Sequence, residues 1–239
     1  MNTISERVIG KFEGFLLSSL RVFSIKSDNR FNLQLMISKK NIGVCFLLLS
    51  VHTIAQVKTL QPGDTAPDIR LLSINDKVIS FDDYPSAKGF VVVFFAEGCP
   101  YSKAYEQRIA NLNEKYSSVG FPVIMINPND SACSPEDAFS QMKKHAASFN
   151  YTFPYLYDER QTVTSAYGPK STPYVFVISK TSAGNIIAYA GAIDNDTRNS
   201  DPSKHKYVED AINALINNQK PIVTTTKSIG CSICWRKTN

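Results

Sequence analysis

The chain has 239 residues, of which 43% are hydrophobic and 20% charged, with a formal net charge of +5. This is the composition of a soluble globular protein with room for one ordinary domain plus extensions, and no repeat or low-complexity segment interrupts it. Of 26 Lys/Arg and 21 Asp/Glu, seven and three lie in residues 1–55, which leaves 19 and 18 and a net charge of +1 for the rest; the remainder lacks the basic field that a nucleic-acid binder uses.

Residues 36–56 read MISKKNIGVCFLLLSVHTIAQ. Lys39 and Lys40 give a positive start, the run from Ile42 to Val51 is apolar, and Ala55 puts a small residue before a cut ahead of Gln56. This is the layout of a secretory signal peptide, and the apolar run is short for a bilayer span. A buried helix is the competing reading. Cys45 follows Val44 and so lacks the small preceding residue expected at a lipidation site. A signal peptide begins at an initiator methionine, so Met36 is the expected start and residues 1–35 an upstream extension; the alternative is an unusually long n-region. The expected organisation is then a signal peptide at 36–55, a folded domain at 56–220 and a tail at 221–239. The expected location is periplasmic or extracellular, with no stable membrane span after cleavage.

Residues 60–85 carry turn signals at Pro62-Gly63-Asp64 and Asn75-Asp76, with short strand-like runs between them. FVVVFFA, at 90–96, is a continuous apolar run, as in a strand covered on both faces. After it, Tyr105, Ile109, Leu112 and Tyr116 recur at helical spacing. FPVIMIN, at 121–127, reads as a second buried strand. Ser134 caps a second helix running to about Ser148, with Pro135 in its first turn and Asp137 three past the cap. FPYLYD, at 153–158, is strand-like; Asp158 caps a short helix that Gly168 ends. PYVFVIS and NIIAYAGAID are two strands joined by the five residues KTSAG. Residues 207–218 form an amphipathic helix through Val208, Ile212, Leu215 and Ile216. The last segment, QKPIVTTTKSIGCSICWRKTN, is an extended tail, with Trp235 its expected apolar anchor.

Cys99 stands where the first buried strand gives way to a helix. Unpaired N–H groups and the dipole at a helix start favour an anion, and the thiolate is the reactive form of cysteine. Pro100 fits the first turn. Glu97 opposes a thiolate by charge, and Lys103 offsets it. The competing reading of Cys99 is a small buried apolar residue. Thr172-Pro173, directly before a later buried strand, argues against that reading. The pair resembles that of thioredoxin-like proteins, and the resemblance implies a cis bond, uncommon among X–Pro bonds at about 5–6%, beside the active thiol.

The element order, with Cys99 and Thr172-Pro173 in these places, resembles a thioredoxin-like fold. The stretches PGDTAPDIRLLSINDK, GCPYSKAYEQRIANLNEKY, VIMINPNDS, SPEDAFSQMKKHA, YTFPYLYDERQTVTSAYG, STPYVFVI and YAGAIDND resemble the redoxin superfamily. The match is to its alkyl hydroperoxide reductase/thiol-specific antioxidant members and, among them, to a peroxiredoxin-like branch. It covers about residues 60–236. It implies an α/β thioredoxin-like fold: a central mixed β-sheet flanked by helices, an N-terminal β extension and an extended tail. It also implies thiol redox chemistry without cofactor or metal. The partners expected are a disulfide-bearing protein or a small peroxide or thiol substrate, and an external thiol reductant.

Two departures narrow the chemistry. The peroxiredoxin pattern P-x-x-x-[T/S]-x-x-C meets Val92 and Ala96 where it needs Pro and a hydroxyl. The thioredoxin pattern W-C-x-x-C meets Gly98 and Ser102, so Ser102 cannot act as the second sulfur, although its hydroxyl could bond a thiolate. Outside residues 1–55 the cysteines are Cys99, Cys133, Cys231 and Cys234. Cys231, or else Cys234, Cys133 or an external thiol, is a candidate to resolve an oxidised Cys99. Cys231 and Cys234 could equally bond to each other, or form half of a metal site whose other two ligands have no suitable pair. The function expected is an exported thiol-disulfide oxidoreductase with Cys99 as nucleophile and Ser102, Thr172 and Pro173 shaping the substrate groove. The alternatives are a weak thiol peroxidase and a non-catalytic binding module on the same fold. His145 and His205 read as isolated surface residues, and Asp194–Asn199 as a solvated loop without the EF-hand glycine and glutamate.

Overall fold

The computed structural model describes residues 57–237, so the expected upstream extension and signal peptide lie outside the described residues. In chain order these residues form β1 (Leu71–Ser73), β2 (Val78–Ile79), β3 (Gly89–Phe94), α1 (Pro100–Tyr116), β4 (Val123–Asn127) and α2 (Phe139–Phe149). There follow β5 (Tyr155–Tyr157), α3 (Thr162–Tyr167), β6 (Tyr174–Thr181), β7 (Gly184–Gly191) and α4 (Tyr207–Ile216). The strands make one seven-stranded sheet in the order β2-β1-β5-β4-β3-β6-β7. β3, β4 and β5 run parallel, and β1, β6 and β7 pair antiparallel to their neighbours.

Every residue of β3 is buried. Successive side chains of a strand point to opposite faces, and here both faces are covered. Val91 and Val93 join Tyr105, Ile109, Leu112 and Tyr116 of α1, Met142 of α2, and Val208 and Ile212 of α4. Phe90, Val92 and Phe94 point the other way, onto Val163 and Tyr167 of α3 and Ile69 and Phe81 of the N-terminal segment. This is a thioredoxin-like fold, the class the sequence leads one to expect. Its central strand delivers the chain to Cys99 at the carboxyl end of the parallel strands, where open α/β sheets place their sites.

Three local expectations are corrected. The second helix is broken: Pro135–Asp137 make one 3-10 turn, Ala138 is extended (φ −62, ψ 143), and α2 starts at Phe139. Ser134 does not cap it; its hydroxyl donates to the Asp137 carboxylate. Asp158 does serve α3, but from a distance, because its carboxylate accepts from the N–H groups of Thr162 and Thr164. The β6–β7 connection is two residues long rather than five, since pairing continues to Thr181 opposite Gly184.

Beyond α4 the tail crosses the sheet edge. It bridges Ala190 at Thr225 and Thr172 at Cys231. Ile233, not Trp235, is its buried anchor; Trp235 is exposed.

Candidate active site

Cys99 is the N-cap of α1, with extended backbone (φ −94, ψ 114) and Pro100 in the first helical turn. Its carbonyl accepts the Lys103 N–H, so the helix starts directly beneath it. Only 2% of the residue is exposed. The Thr172-Pro173 bond is cis, and the Thr172 carbonyl oxygen lies 3.0 Å from Cys99 Sγ. The sequence placed these three residues in separate segments; the sheet brings them together because β6 pairs with β3, Tyr174 opposite Phe94.

Cys99 is disulfide-bonded to Cys231, with Cα atoms 5.9 Å apart. The backbone of Cys231 also pairs with Thr172. The Thr172 N–H donates to the Cys231 carbonyl at 2.9 Å, and the Cys231 N–H donates back at 3.0 Å. The tail therefore makes an isolated antiparallel bridge to the residue before the cis proline. Glycine at 230 permits this approach, because a Cβ there would stand 2.1 Å from the Thr172 carbonyl oxygen. Ser228 adds a bond from its hydroxyl to the Pro173 carbonyl, 2.6 Å.

Cys133 is bonded to Cys234, with Cα atoms 6.3 Å apart. Cys234 is held by its backbone: its N–H donates to Asn129 Oδ1, and its carbonyl accepts from Asp130 N–H and Gln161 Nε2. The local Cys231–Cys234 bond is thus not formed, and among the described residues no cluster of three or more His, Cys, Asp or Glu could hold a metal ion. Ser102 is fully buried, and its hydroxyl accepts the Ala96 N–H at 3.3 Å. That bond assigns it to the loop that carries Cys99 rather than to the groove surface.

The AhpC/TSA family pattern matches residues 62–188, more than half of the chain, from the turn before β1 into β7. The chain belongs to the AhpC/TSA family. Two relatives named thiol-disulfide oxidoreductase ResA, from Geobacillus thermodenitrificans (strain NG80-2) and Geobacillus kaustophilus (strain HTA426), are each 29% identical over 121 residues. Each match takes in 49% of this chain and 63% of the relative, so less than two thirds of those proteins is spanned. A solved structure of an uncharacterized conserved protein from Geobacillus kaustophilus superposes with a TM-score of 0.69 at 30% identity, covering 74% of this chain and 94% of that one. A hypothetical protein from Sinorhizobium meliloti 1021 shares the fold, with a TM-score of 0.69 at 24% identity over 76% and 98% of the two chains.

In this AhpC/TSA member a polar cluster supports the Cys99 loop, and the sequence reading missed most of it. Glu97 is buried. Its carboxylate faces His145 Nδ1 at 3.2 Å, and His145 Nε2 stands 2.6 Å from Glu106. Tyr151 donates its hydroxyl to the same Glu106 carboxylate. His145 is therefore not isolated: its half-buried ring bridges two carboxyl groups of the Cys99 loop and α1. Burial pushes the Glu97 carboxyl up to about 8, and the Glu106 and Asp137 charges push the same way. Below that pH the side chain carries a proton, so it does not oppose a Cys99 thiolate as a full charge. Asp137, fully buried, accepts from Glu97 N–H at 2.6 Å, Asn127 Nδ2 at 2.7 Å and Asn129 Nδ2 at 2.8 Å. It ties the Cys99 loop to the loop that holds Cys234. Arg108 pairs with Asp194 at 2.6 Å and bonds the carbonyls of Asp196 and Thr197. The acidic loop is thus organised by an arginine.

Proposed function

We propose that the protein is an exported thiol-disulfide oxidoreductase in which Cys99 attacks a disulfide carried by an extended peptide and Cys231 resolves the mixed disulfide. The observation that carries this reading is the Cys99–Cys231 bond at the start of α1, made by a tail strand paired with Thr172. In the reduced protein the helix N-terminus favours a Cys99 thiolate. The thiolate attacks one sulfur of the substrate disulfide, and the other sulfur leaves as a thiolate. Cys231, as thiolate, then attacks Cys99 Sγ and releases the second substrate thiol. Two electrons pass from the cysteine pair to the substrate.

The tail supports the substrate class. It fills the groove as an extended strand bearing a sulfur, so the groove fits a disulfide-bearing polypeptide. Peroxide chemistry has less support, since Ala96 puts a methyl group where the peroxidase pattern has a hydroxyl. Export is supported by the leader composition and by two disulfides, which persist in oxidising compartments. No helix among the described residues is long and apolar enough to cross a membrane. The reductant is an external thiol.

The test is insulin reduction with dithiothreitol as donor. Cys99→Ser is expected to lower the catalysed rate to the uncatalysed background. An unchanged rate in this variant would contradict the proposal.

A further inference from the structure

The tail cysteines are three residues apart, yet each is bonded to a different partner. The four cysteine residues also differ in exposure. Cys99 is buried, Cys231 and Cys234 are half-buried, and Cys133 is exposed. A bulky dithiol protein can reach Cys133 but is kept from Cys99 by the tail over it. We propose that these cysteines form a disulfide relay, in which Cys234 and then Cys133 carry the disulfide made at Cys99 out to the protein surface. This rests on the exchange reading of Cys99 and adds the route by which the site is reduced again.

The steps balance one bond against one bond. Substrate turnover leaves a Cys99–Cys231 disulfide, with Cys133 and Cys234 as thiols. The Cys234 thiolate attacks Cys231 Sγ; a Cys231–Cys234 bond forms, the Cys99–Cys231 bond breaks, and Cys99 leaves as a thiolate. The Cys133 thiolate then attacks Cys234 Sγ; a Cys133–Cys234 bond forms and Cys231 leaves as a thiolate. No electrons enter during either exchange. An external protein dithiol attacks the exposed Cys133, expels Cys234 as a thiolate, and closes its own disulfide with its second sulfur. It loses two electrons, and the relay regains them. The state with both pairs bonded is the fully oxidised relay.

The fold suits the middle step. The tail is held at Cys231 by an isolated bridge to Thr172, not by a strand ladder. It is held at Cys234 by Asn129, Asp130 and Gln161. Closing a bond between Cys231 and Cys234 requires a turn, which breaks the Thr172 bridge. One exchange therefore frees the Cys99 sulfur and clears the groove for the next substrate. The Asp137 carboxylate, bonded to both Glu97 N–H and Asn129, keeps the two ends of the relay in fixed register.

The test is steady-state reduction of a disulfide-bonded protein by the full chain, with thioredoxin, its reductase and NADPH as donor. The relay predicts that Cys234→Ser and Cys133→Ser lower turnover about tenfold or more. Cys234→Ser is expected to accumulate Cys99–Cys231. Cys133→Ser is expected to accumulate a disulfide inside the tryptic peptide Ser228–Arg236, seen by mass spectrometry after acid quench. Dithiothreitol, small enough to reach Cys231 directly, is expected to restore turnover in both variants. Wild-type turnover with thioredoxin in both variants overturns the relay and leaves the exchange reading standing. Failure of dithiothreitol to restore either variant means that Cys133–Cys234 is a structural staple, and this too overturns the relay. If the unmutated chain is no more active than Cys99→Ser, the exchange reading itself falls and the relay with it.

Discussion

Glu97 is two residues before Cys99 and holds its proton until about pH 8, chiefly because the loop buries it. This has a defined sign in stability. In the unfolded chain the carboxyl loses its proton near its ordinary value of 4.5, whereas in the folded protein it keeps it to about 8. Between these values the native state binds more protons, so the contribution of Glu97 falls as pH rises and is flat above the folded value. Glu97→Gln is therefore expected to gain stability relative to the unmutated protein as pH rises from 5 to 8, read by chemical denaturation at each pH. A pH-independent difference would show that the loop does not hold the proton. The cluster around this residue was hidden in the sequence for a physical reason. Glu97, Glu106, His145 and Tyr151 share no helical or strand period, and they meet only because α2 packs beside α1. Cys99 and Pro173 were legible because each carries a local signature: a sulfur and a proline at the start of a helix, and a proline at the start of a buried strand.

At the scale of elements, the tail is the least regular part of the domain and bears most on the site. Its approach to Thr172 depends on the missing side chain at Gly230. Gly230→Ala is expected to lose the two-way backbone bridge, at a cost of roughly 1–2 kcal/mol in tail docking. In the reduced protein Cys99 should then alkylate faster, and the Cys99–Cys231 bond should form more slowly after a pulse of oxidant. Unchanged rates would mean that the bridge does not hold the tail. The regular elements were largely legible, since β3, β4 and α1 write their burial into apolar runs and helical spacing. The misread ones are those where a tertiary partner overrode a local signal. Ser134 reads as a cap, but the Asp137 carboxylate takes its hydroxyl and is itself claimed by Asn127, Asn129 and Glu97. The hairpin reads as five residues because Lys180 and Thr181 look loop-like, yet both pair across to β7. The docking of the tail follows no periodicity; only its two cysteines announced it, and several pairings were open.

At the scale of the molecule, the fold places one sulfur at a helix start, a cis proline beside it and a tail segment bridged to Thr172 and bonded to that sulfur. The second sulfur, absent from the motif at Ser102, is supplied from 132 residues away. The most direct test of the central claim is to trap the intermediate. Reduced Cys231→Ser protein is mixed with a disulfide-bonded polypeptide, quenched in acid, and mapped without reduction. The expected result is a mixed disulfide between Cys99 and the substrate that persists because its resolving sulfur is gone, and that is missing when Cys99 is also replaced. A substrate bonded only at Cys133 or Cys234, with Cys99 still a free thiol, would contradict the assignment of Cys99 as the nucleophile.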